Sequence, residues 1–93
     1  MDLKDKVIVG TGGTGILGYR FNKAISKAGA IVCILGRNRE KAIERAAEII
    51  AGGVKAIGLS ANVLNETDLQ NAHDLILAKF RKIDGLVNAV VGN

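Results

Sequence analysis

The amino-acid sequence predicts an α/β fold, a parallel sheet whose successive strands are joined by crossover helices. Three observations predict it. Short aliphatic runs alternate with segments of helical periodicity along the chain. Each intervening segment is long enough for a helix that returns the chain to the same end of the sheet, so the connections are right-handed and the strands parallel. The composition, 48% hydrophobic but 3% aromatic, leaves Val, Ile, Leu and Ala to build the core, as in strands buried on both faces.

The elements come in order. "KVIVG" (6–10) is a short β-type run ending in glycine. From Ile16 to Ala28 the apolar positions Leu17, Phe21, Ala24, Ile25 and Ala28 fall on one helical face, and Gly29 offers a stop. "AIVCIL" (30–35) is an unbroken apolar run, hence a buried strand. Asn38 can cap a helix "REKAIERAAEIIA", whose stripe uses Ala42, Ala46, Ile49 and Ile50 before Gly52-Gly53 end it. "VKAIGL" (54–59) is a third strand, weakened by Gly58. Asn65 caps a third helix, with Asp68 favouring its positive end and Leu69, Ala72, Ile76 and Phe80 lining one face. "GLVNAVV" (85–91) is the fourth strand.

Ninety-three residues predict one small domain with a modest core. The net charge of +4 is scattered over the helical segments with no interleaved aromatics, so it describes a solvated surface before an anion site, and a nucleic-acid partner is not expected. One cysteine excludes an internal disulfide and a multi-cysteine metal site, and no metal is expected. The opening "MDLKDKVIVG" is neither a signal peptide nor a membrane span, so a soluble, cytoplasmic chain with no membrane partner is expected.

"VGTGGTGILG" (9–18) carries five glycines in ten positions, between the first strand and the first helix. A helix N-terminus there presents unpaired N–H groups and a positive dipole end, which stabilise a pyrophosphate if the backbone comes close. A β-carbon would prevent both the tight turn and that approach. The register has three readings: Gly10, Gly12 and Gly15; Gly13, Gly15 and Gly18; or T-G-x-x-G-x-x-G through Thr11, Gly12, Gly15 and Gly18. The third is preferred, because it sets the first essential glycine directly after the strand. The plainer reading is a glycine-rich turn with no ligand. No Gly-Lys-Ser/Thr comes after it, so it is not a P-loop.

A dinucleotide loop in this βαβ context predicts a Rossmann-type sheet of order 3-2-1-4, truncated after the fourth strand, with 1–93 as a partial NAD(P)-binding domain. At the end of the second strand a carboxylate would select NAD, and a cation would favour the 2′-phosphate of NADP. The chain has "ILGRNREK" there: Gly36 stands where the acid is expected, with Arg37 next and Arg39 close by. Arginine forms paired, charge-assisted bonds to phosphate, so NADP(H) is favoured over NAD(H). The plainer reading makes Arg37 a solvent-facing residue near a helix start.

These residues resemble the N-terminal half of a short-chain dehydrogenase/reductase. "TGGTGILG" is similar to that family's T-G-x-x-x-G-x-G, with Ile16 for the middle glycine. "SANVLNETDL" resembles its A-D-V segment, with Asn62 for the acid that contacts adenine. "KFRKIDGLVNAVVGN" resembles F-G-x-I-D-x-L-V-N-N-A-G; Asn88 keeps the first asparagine, and Ala89, Val90 and Val91 replace the Asn-Ala-Gly after it. Within the family, "TGGTGILG" and a terminal "VGN" look most like the mannonate (fructuronate) oxidoreductase-like members. The resemblance implies a cofactor site of Gly12, Thr14, Gly15, Ile16, Leu17, Gly18, Arg37, Asn38, Asn62, Val63, Asn88 and Ala89. It covers about the first third of a typical member and omits the family's catalytic Ser and Tyr-x-x-x-Lys, so no catalytic residue is assigned and the chain alone is expected to be inert in hydride transfer.

Tyr19 and Lys23 have Y-x-x-x-K spacing but lie on the first helix, about 200° and 240° round from Leu17, away from the expected buried face. His73 is expected to flank its helix, Cys33 to be a small core residue, and Asp84 to cap or turn. Three functions fit: the cofactor-binding portion of an NADP-dependent oxidoreductase, a stand-alone nucleotide-binding or sensing module, and an inactive truncated relic. The fourth strand, as an edge with an incompletely covered apolar face, predicts a homo-oligomer closed over that edge.

Overall fold

A computed structural model describes residues 2–11, 16–62 and 64–88, with the backbone alone for 16–19 and 88. The order is β1 (Val7–Thr11), α1 (Ile16–Lys27), β2 (Ile31–Gly36), α2 (Arg39–Ala51), β3 (Ala56–Ser60), α3 (Glu66–Phe80) and β4 (Gly85–Asn88). The strands form one parallel sheet in the order β3-β2-β1-β4. The chain therefore folds outward from β1 through β2 to β3, then returns across the sheet to β4. That is the Rossmann-type order the sequence predicts. Residues 89–91, expected to extend β4, lie outside the described residues.

The crossovers put α1 and α2 on one face and α3 on the other, and the core divides accordingly. Ile25, Ala42, Ala46 and Ile49 pack with Val32 and Ile34 on the first face. Ala72 and Ile76 pack with Val7, Val9, Cys33 and Leu35 on the second. Alternate residues of β2 thus serve opposite layers, which is why its run is apolar throughout.

Helix ends are set by their caps. The Asn38 carboxamide oxygen accepts from the Lys41 N–H at 3.1 Å, and that of Asn65 from the Asp68 N–H at 3.0 Å. Gly29, at φ 99°, takes the chain out of α1 in the left-handed region open to glycine. Helix α3 instead ends on Arg81 at φ 71°, whose N–H still reaches the Leu77 carbonyl at 2.8 Å.

Several expectations are corrected. On α1 the buried residues include Asn22, Ile25 and Ser26, whereas Phe21 and Ala24 are exposed. The apolar stripe misplaces this face because the line of contact with the sheet runs through Asn22, Ile25 and Ser26, one position round from Phe21 and Ala24. Ile50 is exposed beside buried Ile49, since adjacent helix positions point about 100° apart and α2 contacts the sheet along one narrow line. Leu69 is also exposed, at the uncovered flank of α3. Gly58 is not a weakness in β3: a β-carbon there would overlap the Ala42 carbonyl. Its absence lets α2 lie against the strand.

Candidate functional site at the carboxyl ends of the strands

In an open parallel sheet a ligand sits beyond the carboxyl ends of the strands, where the strand order reverses. Here that reversal lies between β1 and β4. Thr11 and Asn88 end those strands and are register partners. Beside them Thr11 pairs with Leu35, and Gly36 with Ser60, so four strand ends form one row. The Thr11 hydroxyl donates to the Val87 carbonyl at 3.4 Å, across the reversal itself.

The glycine-rich segment runs from the end of β1 to the start of α1. Of its predicted ligand residues, Gly12, Thr14 and Gly15 lie outside the described residues, as do Val63 and Ala89. Ile16, Leu17 and Gly18 form the first turn of α1, and Asn88 closes β4. The segment thus delivers the chain from a strand end to a helix N-terminus, the setting that binds pyrophosphate.

A β-carbon on Gly10 would stand 2.8 Å from the Asn22 Oδ1, so the Asn22 carboxamide occupies space over β1 that the glycine leaves open. Asn22 is 2% exposed, and its Nδ2 is buried with no hydrogen-bond partner among the described residues. Hydrophobic periodicity misses Asn22, because it counts a polar residue as an interruption of the stripe. The signal that could have found it is the four-residue step from Gly18, which puts both on one face.

At the second strand end, Arg37 and Arg39 are exposed, and no carboxylate among the described residues stands within ion-pair distance of either. The Ser60 hydroxyl donates to the Arg37 carbonyl at 3.2 Å, fixing the backbone where the chain leaves β2. Asn38 caps α2 through its Oδ1. Asn62 is exposed; its Oδ1 accepts from the Leu64 N–H at 3.0 Å, and its N–H donates to Asp68 at 2.9 Å. The structure therefore brings Arg37, Asn38, Asn62 and Asn88 to the same end of the sheet as the start of α1.

A model of the short chain dehydrogenase family matches residues 6–92. The chain belongs to that family. It is 36% identical over 92 residues to the uncharacterized oxidoreductase UxuB of Bacillus subtilis, covering 99% of this chain and 33% of that protein. It is 36% identical over 88 residues to a 2-dehydro-3-deoxy-D-gluconate 5-dehydrogenase of Formosa agariphila, covering 94% and 33%. Among solved structures, a protein of Haemophilus influenza described as a D-mannonate oxidoreductase, with bound NAD, superposes with a TM-score of 0.94 at 32% identity over 99% of this chain and 33% of that one. A 3-ketoacyl-(acyl-carrier-protein) reductase of Brucella melitensis, complexed with NADH, gives 0.84 at 34% over 91% and 34%. The chain spans about a third of the length of these relatives.

The residues outside this site have structural roles. Cys33 is fully buried, and burial pushes its thiol up to about 12, against a smaller opposing pull from the Lys79 ammonium. His73 is exposed, its Nδ1 3.5 Å from Asp74. Asp84 binds the start of β1. Among the described residues no group of His, Cys, Asp or Glu could hold a metal, and no helix is long and apolar enough to cross a membrane.

Proposed function

We propose that this chain is the dinucleotide-binding portion of a short-chain oxidoreductase and that it takes NADP(H) in preference to NAD(H). The observation that carries the preference is the end of β2. Gly36 supplies no carboxylate for a ribose hydroxyl, and the Arg37 guanidinium beside it is uncommitted to any carboxylate among the described residues. The fit of a dinucleotide rests on the α1 N-terminus that comes after β1 and on the reversal at Thr11 and Asn88.

In this reading 1–93 is one partial NAD(P)-binding domain. Gly12, Thr14, Gly15, Ile16, Leu17 and Gly18 hold the pyrophosphate through backbone N–H groups. Arg37 and Asn38 meet the adenosine ribose and its 2′-phosphate, Asn62 and Val63 flank the adenine, and Asn88 and Ala89 wall the crevice. The nicotinamide, when bound, supplies hydride chemistry; these residues bind and orient it. None of them handles the proton, so the chain by itself is inert in turnover. A cytoplasmic setting accords with this role. So does association between copies over the β4 edge, where Leu86 is 68% exposed; sedimentation as a monomer at high concentration would contradict that association.

The test is a calorimetric titration of the folded chain with NADPH and with NADH. Saturable binding that favours NADPH, with the preference lost in Arg37→Ala, is the expected result. No binding of either would leave the glycine segment as architecture alone.

A further inference from the structure

Asparagine has a backbone donor and acceptor, a side-chain oxygen that accepts, and a side-chain nitrogen that carries two protons. At Asn62 the structure accounts for all but the last. Its N–H donates to the Asp68 carboxylate at 2.9 Å, its carbonyl accepts from the Asn65 N–H at 2.9 Å, and its Oδ1 accepts from the Leu64 N–H at 3.0 Å. A backbone N–H only donates, so the side-chain atom facing Leu64 is the oxygen. The Nδ2 makes no hydrogen bond among the described residues, and the residue is exposed. Asn62 is thus pinned at three groups and keeps two protons to give. The sheet sets its place. The Ala61 N–H donates to the Gly36 carbonyl at 2.9 Å, one rung beyond β3, and the Ser60 hydroxyl holds the Arg37 carbonyl. Asn62 therefore comes directly after the strand end that holds the Arg37 backbone.

We propose that Asn62 offers the base of the dinucleotide a donor alone, so that the site takes a 6-oxopurine such as hypoxanthine as readily as adenine. This rests on the proposed function and deepens it by naming the class of base. An asparagine that selects adenine needs both ends of its carboxamide: the oxygen accepts from the exocyclic N6–H2 and the nitrogen donates to N7. Here the oxygen is committed to Leu64 and only the nitrogen remains. A purine with a carbonyl at position 6 offers that nitrogen two neighbouring acceptors, O6 and N7. Adenine offers N7 alone there and sets its own amine against a second donor. Turning the oxygen to adenine would break the Leu64 bond, so nothing is gained by the exchange.

The experiment titrates the folded chain calorimetrically with NADPH and with reduced nicotinamide hypoxanthine dinucleotide phosphate, in which an oxygen replaces the adenine amine. The same pair is titrated into Asn62→Asp and Asn62→Ala. The unaltered chain is expected to bind the hypoxanthine form within about threefold of NADPH, or more tightly. In Asn62→Asp one carboxylate oxygen keeps the Leu64 N–H, and the other accepts from the adenine amine and repels O6. NADPH should then be favoured by about tenfold, the equivalent of one hydrogen bond to a charged group. In Asn62→Ala the hypoxanthine form should lose more affinity than NADPH. An asparagine that serves only the turn would weaken both ligands equally in the variants, and an unchanged ratio would overturn the role of Asn62. So would a preference of the unaltered chain for NADPH beyond about threefold. Should one variant fail to fold, the other and the ratio in the unaltered chain still decide. Those contrary results leave NADPH bound and spare the proposed function. No binding of either ligand by the folded, unaltered chain would overturn both.

Discussion

Val7 and Asp84 hold each other by two hydrogen bonds. The Val7 N–H donates to the Asp84 carboxylate at 2.8 Å, and the Asp84 N–H donates to the Val7 carbonyl at 2.8 Å. This clamp ties the start of β1 to the entry of β4, at the opposite end of the sheet from the strand ends that form the site. Lys82 adds an ammonium 3.1 Å from the same carboxylate. The Val7 N–H first, then the Lys82 contacts, hold the Asp84 carboxyl below its ordinary value. A lowered folded value means that the stabilisation is present above the ordinary carboxylate range and is lost as pH falls through the folded value. Asp84→Asn should therefore melt below the unaltered chain at pH 7, and the gap should close as pH falls below about 4. A gap that stayed constant across that range would contradict the clamp.

Gly58 should tolerate no side chain. The Ala42 carbonyl and the Ile43 backbone nitrogen occupy the space of a β-carbon, and neither is a flexible end that can swing away. Gly58→Ala must lift α2 from β3. The expected cost is about 3 kcal/mol, the upper part of the range for overpacking, and a melting temperature lower by at least about 10 °C. Thermal unfolding checks this; a loss under about 2 °C would mean that the helix is not seated where the structure places it.

Cys33 should be silent to thiol reagents while the chain is folded. Its side chain is fully buried, and the thiolate that would react is disfavoured there. Labelling should track unfolding, with a rate that rises with denaturant. The same burial predicts alkaline sensitivity. The unfolded thiol loses its proton near its ordinary value of 9.0, while the folded one keeps it to about 12. The unfolded state thus binds fewer protons between those values, and stability falls as pH rises through that window. Cys33→Ala or Cys33→Val should remove this part of the alkaline loss.

Much of the fold was legible because aliphatic runs and capping residues are local signals. Asn38 and Asn65 cap the helices they were expected to cap, and the glycine segment lies between a strand and a helix. The order β3-β2-β1-β4 came from reading the glycine segment as a dinucleotide loop in a βαβ unit. The illegible part depends on how closely layers approach. Phe21 is apolar but exposed and Asn22 is polar but buried, since the two positions point about 100° apart on α1 and Asn22 is the one over Gly10. Gly58 has the pattern of a weak strand residue, and only the Ala42 carbonyl packed against it shows its purpose. Arg37 was singled out from its place after a strand, whereas the burial of Asn22 and its unpartnered Nδ2 are visible only in the packed structure.

The central claim is that a dinucleotide binds across the carboxyl ends of the strands, and amide NMR during titration with NADPH tests it most directly. The predicted result is saturable shifts at residues 12–18, Arg37, Asn38, Asn62 and Asn88. Shifts confined to the apolar flank formed by Leu69, Ile76, Ile83 and Leu86, or none at saturating ligand, would contradict it.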